Sequence, residues 1–336
     1  MRYNFCTLFD SNYLHKGLAL YQSLCNVCDE FQLYVVAFDD CCFIKLQQLK
    51  LDKLKVISLT EFETKELLEV KPTRNRAEYC WTCGPSMIYY FITKYNLDHC
   101  TYVDADLMFF SSPEIVFQEI GNSSVGITEH IPNGTDMIAG KYCVQFVYFK
   151  NDLDGMTTLN WWKDSCIDWC YARYEDGKFG DQKYLDYFPV KFNNVHIIRN
   201  VGVGVAPWNA HLYVFFEYGK IKYKNEKIDI VFYHFHGTKI DFKKDTLSIK
   251  VLTSDINKDI ENYIYLPYLL LVKEIYGSFL NVNVNNVSVI GRSELMSFYF
   301  KIKKCFRENS IFQFLYYKVF KTKYNGYEKS IKKTGF

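Results

Sequence analysis

Thr101-Tyr102-Val103-Asp104-Ala105-Asp106-Leu107-Met108-Phe109-Phe110 decides how the rest of the chain is read. Two aspartates, one residue apart, stand between two apolar runs. The first run, Cys100 to Val103, fits a buried strand that delivers Asp104 to its carboxyl end. A charged turn enclosed by buried segments is costly unless its charges are balanced. Two carboxylates in so short a turn supply hard oxygen ligands for a divalent cation, and Ala105 between them leaves room for a ligand. The plainer alternative is a loop with two solvent-facing acids, since Asp-x-Asp arises by chance in many chains. The apolar flanks favour the metal.

Working outward, Tyr3 to Phe9 is an apolar, aromatic and β-branched run ended by Asp10-Ser11-Asn12, a first buried strand with a polar loop at its carboxyl end. Leu14 to Leu24 reads as a helix, Phe31 to Phe38 as a second strand ended by Asp39-Asp40, and Lys55 to Leu59 as a third. Trp81 to Lys94 fits a helix, with Gly84-Pro85 an irregularity near its start. This alternation predicts an α/β fold with a mostly parallel sheet flanked by helices, binding its ligand at the carboxyl edge of the strands. Beyond Pro113 short strands are expected at Ser124 to Thr128, Tyr142 to Phe149 and Val231 to Phe235, with a helix around Trp161 to Arg173. From Ile256 the pattern turns helical, through Tyr263 to Tyr276 and again over Phe298 to Lys323.

Composition narrows the class. Of 336 residues 49% are hydrophobic, and 28 Tyr and 28 Phe exclude a disordered chain. No apolar run approaches the ~18 residues that span a bilayer, and Met1 to Asp10 lacks a secretory pattern, so a cytoplasmic location is expected. The 12 cysteines then read as free thiols rather than a disulfide framework. Cys25-x-x-Cys28 and Cys80-x-x-Cys83 have zinc-like spacing, but the second pair sits in an aromatic helical stretch where thiols suit a core face. Net charge is +2, distributed unevenly: residues 296–336 carry ten Lys and Arg against two Glu, +8, leaving −6 on the remainder. The expected division is 1–250 for a catalytic domain and 251–336 for a helical, basic segment. That segment suits either a peripheral anionic membrane at the inner face or a terminal helix packed on the catalytic domain with a solvated basic face. No nucleic-acid partner is expected.

Four motifs occur in order: Asp10-Ser11-Asn12-Tyr13, Asp104-Ala105-Asp106, Phe179-Gly180-Asp181-Gln182-Lys183-Tyr184-Leu185, and His234-Phe235-His236-Gly237-Thr238-Lys239. Over residues 3 to 240 the chain resembles the GT-A glycosyltransferases, and most the family-eight group of glycogenin and the bacterial lipopolysaccharide galactosyltransferases. The resemblance implies a GT-A type, Rossmann-like sheet and a hexosyltransferase that uses a nucleotide-diphosphate sugar with retention of configuration. The acceptor would be a saccharide or a lipid-linked acceptor. It further implies that Asp104, Asp106 and His234 hold Mn2+ (or Mg2+), that Asp181 and Gln182 lie beside the transferred sugar, and that Asp10 and Tyr13 meet the nucleoside. Lys239 would contact the diphosphate. Two departures stand out: Lys183 replaces the motif's second acid, and Lys239 comes one residue early, without the Pro-Trp that usually follows.

The residues have ordinary readings too. His234 and His236, two apart on a strand, share a face, and of the two His234 is favoured as the ligand. Asp181 also suits the N-cap of a helix beginning near Gln182. Arg76, with Arg74, either contacts the donor or forms a solvated pair. In Val201-Gly202-Val203-Gly204-Val205-Ala206-Pro207-Trp208, the indole either stacks on an acceptor sugar or packs in the core. An inverting enzyme would use Asp152, Asp154 or Asp181 as general base. A sugar nucleotidyltransferase would open with a glycine-rich phosphate loop, which Thr7 to Tyr13 lacks. A binding protein with a decayed site would bind no nucleotide sugar.

Overall fold

The computed structural model describes residues 2–131, 138–243, 245–251, 256–280 and 282–290. Strands β1 (Tyr3–Phe9), β2 (Phe31–Ala37), β3 (Leu54–Ser58) and β4 (His99–Val103) are parallel, in the order β3-β2-β1-β4. Their side chains alternate between two cores. Phe5, Phe9, Leu33, Val35 and Val103 pack on one face, and Cys6, Leu8, Tyr34, Val36 and Cys100 on the other. A sheet covered on both faces needs continuous apolar strands, as the sequence reading found. Helices α1 (Leu14–Val27) and α2 (Asp40–Leu49) follow β1 and β2.

Helix α3 (Arg76–Tyr95) starts five residues before the expected Trp81. Its start is fixed by a capping box, in which Asn75 accepts from Glu78 N and Glu78 accepts from Asn75 N. Gly84-Pro85 does not interrupt it.

After β4 come β5 (Leu107–Phe109), helix α4 (Glu114–Ile120), β6 (Val125–Glu129), β7 (Tyr142–Lys150), helix α5 (Leu153–Asp168) and β8 (Val195–Ile198). They extend the sheet to β3-β2-β1-β4-β7-β6-β8, with β7 antiparallel to both neighbours. Helix α5 corrects the expected span around Trp161 to Arg173. It is capped by Asp152, whose side chain accepts from Gly155 N at 2.9 Å, and it ends before the extended Trp169. The aromatic cluster at its centre drew the sequence reading past its polar cap.

Further strands β9 (Val214–Glu217), β10 (Lys220–Tyr223) and β11 (Glu226–Asp229) form a small antiparallel sheet. Strand β12 (Phe232–His234) pairs with β5, and β13 (Thr238–Lys243), β14 (Thr246–Val251) and β15 (Asn286–Ile290) form another sheet. Position 250 therefore falls within a strand. Helix α6 (Leu266–Ser278) precedes β15. The expected helix over Phe298 to Lys323 and the basic segment from residue 296 lie outside the described residues. No helix among the described residues is long and apolar enough to cross a membrane.

The strand order has a direct consequence for ligand binding. From β1 the chain winds one way to β2 and β3, then returns to place β4 on the other side of β1. The loops leaving β1 and β4 therefore stand side by side at the carboxyl edge, beside the crevice where open α/β sheets bind ligands, and the elements they lead into, α1 and β5, pack against each other. Asp10 leaves β1 there, and Asp104 leaves β4.

Candidate metal and nucleotide centre

The Asp104-Ala105-Asp106 turn is tied on both sides. Asp104 N donates to the Gln145 carbonyl on β7 at 3.1 Å, and Phe235 N donates to the Asp106 carbonyl at 2.9 Å. Because β5 pairs with β12 so that Leu107 faces His234, the histidine is set beside the turn that precedes β5. Its Nε2 lies 3.1 Å from Asp106 Oδ1 and 3.6 Å from Asp104 Oδ2. One ligand atom from each of the three residues lies within 4.8 Å of the others, and no second such group occurs among the described residues. Adjacent ligands of an octahedral ion at ~2.1 Å stand about 3 Å apart, so these separations and this hard oxygen and imidazole set fit a divalent cation. The Asp104 side chain is 22% exposed against 11% for Asp106 and 5% for His234, which puts the opening on the Asp104 side.

Burial opposes every charge here, and neighbours decide the outcome. For Asp104 burial wins and raises its carboxyl above the ordinary range despite His234. For Asp106 burial is outweighed by His234 and Lys16, which hold the carboxyl well below that range. His234 is pushed up, since the charges of Asp106 and Asp104 outweigh its burial. Burial and His234 together push His236 down to about 4.

Three residues at the centre escaped the sequence reading. Tyr102 donates to Asp104 Oδ1 at 2.8 Å. Gln145 faces His234, its Oε1 2.9 Å from Nδ1. A donor proton on Nδ1 leaves the Nε2 lone pair toward the aspartates. A lone glutamine inside the apolar run Tyr142–Phe149 was its signal. Gly204 (φ +83°) makes this contact possible, because a Cβ there would lie 2.5 Å from Gln145 Nε2. The third is Lys16, whose ammonium reaches Asp106 Oδ2 at 3.5 Å from a helix position otherwise apolar in register with Leu20 and Leu24. Gln145→Ala is expected to weaken manganese binding roughly 10–100-fold, the usual effect of losing a residue that orients a ligand histidine. Metal titration of the folded variant checks this.

The remaining candidates divide. Asp181 is buried near Asp104, and burial followed by the Asp104 charge pushes its carboxyl up to about 8. Asp181 precedes a 3-10 turn over Gln182–Tyr187 without capping it through its side chain. Its Oδ2 lies over Gly84 of α3, at ordinary van der Waals distance from where a Cβ would stand there. Gln182 instead braces β7, accepting from Val144 N at 3.3 Å and donating to the Ala139 carbonyl at 3.0 Å.

Asp10 accepts from Asn12 N and Tyr13 N, and Arg76 pairs with Asp10 at 2.5 Å and Asp39 at 3.6 Å, knotting the loops after β1 and β2. Tyr13, half exposed, has its ring centre 4.2 Å from the Lys16 ammonium at the same crevice, and partial burial with the Asp106, Asp104 and Asp10 charges pushes its hydroxyl up to about 12. Lys239 is not brought to the cluster: its side chain is 67% exposed and pairs with Asp241 at 3.5 Å. Arg74 turns away to the carbonyls of Ile167 and Asp168. Trp208 packs its ring edge-on against His234 and His236, centroids 5.2 and 5.5 Å away, with its N–H on the His130 carbonyl. Eleven cysteines among the described residues are free.

The sheet, with its switch point between β1 and β4 and the acidic turn that closes it, has the GT-A fold of the glycosyltransferases and resembles the family-eight group. An active-site mutant of LgtC shares that fold at TM-score 0.50 with 10% identity, over 81% of this chain and 95% of LgtC. By sequence the chain belongs to the same family as the protein YfnF of Bacillus subtilis (strain 168), described as uncharacterized. The two are 33% identical over 248 residues, 70% of this chain and 82% of YfnF. YfnD of the same organism, also described as uncharacterized, is 28% identical over 283 residues, 81% of this chain and 89% of its own length. No family model matches the chain.

Proposed function

We propose that the protein is a metal-dependent glycosyltransferase that moves a hexose from a nucleotide-diphosphate sugar to a saccharide or lipid-linked acceptor with retention. The observation that carries this reading is the convergence of Asp104, Asp106 and His234 at the crevice between β1 and β4. These three residues would hold Mn2+ or Mg2+, which when bound neutralises the diphosphate leaving group. Gln145 keeps the imidazole Nε2 turned toward the two aspartates, where the cation would be held, and Tyr102 steadies Asp104. Asp10, fixed by two backbone amides and Arg76, presents an acidic edge to the nucleoside, with Tyr13 beside it. Asp181 stands ready beside the sugar, while Trp208 walls the histidine side.

Of the three carboxylates considered as a base for inversion, Asp152 caps α5 and Asp154 pairs with Asn194, which leaves Asp181 alone near the cluster. In this reading residues 1–250 carry the donor site, and the basic segment within 251–336 brings the enzyme to an anionic membrane surface. Calorimetry with manganese and a panel of nucleotide sugars tests the assignment. Binding of one nucleotide sugar that requires the metal supports it, and absence of binding across the panel with manganese present rejects it.

A further inference from the structure

Lys16 is the one lysine or arginine ion-paired with the triad among the described residues. It lies in the first turn of α1 with a side chain only 4% exposed. Its ammonium is 3.5 Å from Asp106 Oδ2, 3.1 Å from the Thr238 carbonyl and 4.2 Å from the centre of the Tyr13 ring. Taking an ammonium out of water is costly, and it is sustained here by one carboxylate, one carbonyl and a ring face. An ammonium has three N–H donors, and Asp106 and Thr238 engage two. Thr238 closes the turn that follows His234, so Lys16 spans the two loops that build the centre. Lys239, the next residue, points to Asp241 instead.

Charge indicates what Lys16 serves. The two carboxylates of Asp104 and Asp106 match one divalent cation, and once that cation is bound the Lys16 charge is surplus at the crevice. An anion of the diphosphate class is the ligand that would use it. We propose that Lys16 is a ligand of the donor diphosphate: it serves as counter-ion to Asp106 until a divalent cation takes that carboxylate, and its ammonium then bonds a phosphate oxygen. The proposal rests on the glycosyltransferase reading above, and in it α1 supplies the cation that the 238 turn does not.

The same positive charge attracts a diphosphate and repels a metal ion, so removing it separates the two affinities. The full-length protein and its Lys16→Met, Lys16→Gln and Lys16→Arg variants would be titrated calorimetrically, first with Mn2+ alone. Uridine, guanosine, adenosine, cytidine and thymidine diphosphates at saturating Mn2+ would follow. The Met and Gln variants are expected to bind Mn2+ as tightly as the parent or up to about 10-fold more tightly. They should bind the preferred nucleoside diphosphate at least about 10-fold more weakly, the size of effect that loss of one charge-assisted hydrogen bond gives. Gln keeps donors for Asp106 and Thr238 while removing the charge, which covers the case of a Met variant that does not fold. Arg is expected to restore diphosphate affinity to within about three-fold, since it keeps the charge.

Equal loss of manganese and diphosphate affinity would mark Lys16 as a packing element and overturn the proposal, as would unchanged diphosphate affinity in both neutral variants. A parent protein that binds neither manganese nor any diphosphate overturns the glycosyltransferase reading along with it. Binding by the parent with no change in the variants overturns this proposal alone.

Discussion

Asp106→Asn is expected to lower turnover by about 10²–10³-fold, the range seen when one preorganised electrostatic contact to a developing charge is removed. Two independent losses combine in this one substitution. The amide is a far weaker ligand than a carboxylate for a hard cation, so Mn2+ affinity falls with turnover. The buried ammonium of Lys16 loses its carboxylate, and His234 Nε2 loses its partner at 3.1 Å. Leaving a buried charge without its counter-charge costs about 3–5 kcal/mol. Part of that is returned here, because two adjacent buried carboxylates become one. The metal-free variant should therefore melt below the parent, with near-unchanged circular dichroism at 25 °C. Turnover within two-fold of the parent in manganese buffer would remove Asp106 from the metal centre.

Asp181→Asn is expected to have the opposite effect on stability and a comparable effect on activity. In the folded chain burial and the nearby Asp104 hold the Asp181 proton up to about 8, against an ordinary carboxylate value of 3.8 in the unfolded chain. The folded state thus binds the proton more tightly, and stability falls as pH rises from about 4 to about 8. At pH 7 in metal-free buffer this costs the parent about 4 kcal/mol, at 1.36 kcal/mol per unit over the interval from the unfolded value to pH 7. Asparagine, shaped like the neutral acid, escapes that cost. The variant should melt higher than the parent at pH 7.5, with the gap closing by pH 4.5. Turnover should fall by about 10²-fold with donor affinity changed only a few-fold, the pattern of a contact strongest in the transition state. A raised KM with kcat unchanged, or a stability gap independent of pH, would count against this role. Such a residue trades stability for activity, as buried acids at active sites do.

Elements built from local pattern were legible in the sequence. Strand β1 was read at Tyr3–Phe9, the bounds it has in the structure, and α1 begins at Leu14 as expected, because a buried parallel strand is an unbroken apolar run closed by a polar loop. The acidic turn was legible for the same reason: charge between two buried strands stands out in one dimension. His234 could be preferred over His236, but what separates them in space, the pairing of β12 with β5, is a contact between residues more than 100 positions apart.

The same distance hid Gln145, which faces His234 from 89 positions away, and Lys16, which meets Asp106 from 90 positions away. Each still left a trace, a polar side chain in an otherwise apolar face, which sequence reading can flag without naming its partner. Lys239 shows the converse. A motif placed it near the donor, yet register along β13 points it to Asp241, since a shift of one residue on a strand moves a side chain to the other face. The β13-β14-β15 sheet was missed because its strands are short and half exposed. One of its pairings joins residues 246–250 to 286–290 across a helix.

Anomalous diffraction at the manganese edge would locate the cation in crystals of the full-length protein grown with Mn2+ and the nucleoside diphosphate it binds most tightly. One strong peak is expected about 2.0–2.3 Å from Asp104, Asp106 and His234, with diphosphate oxygens completing the ion's shell. A peak held by other residues, or nucleotide bound with no manganese between those three side chains, would contradict it.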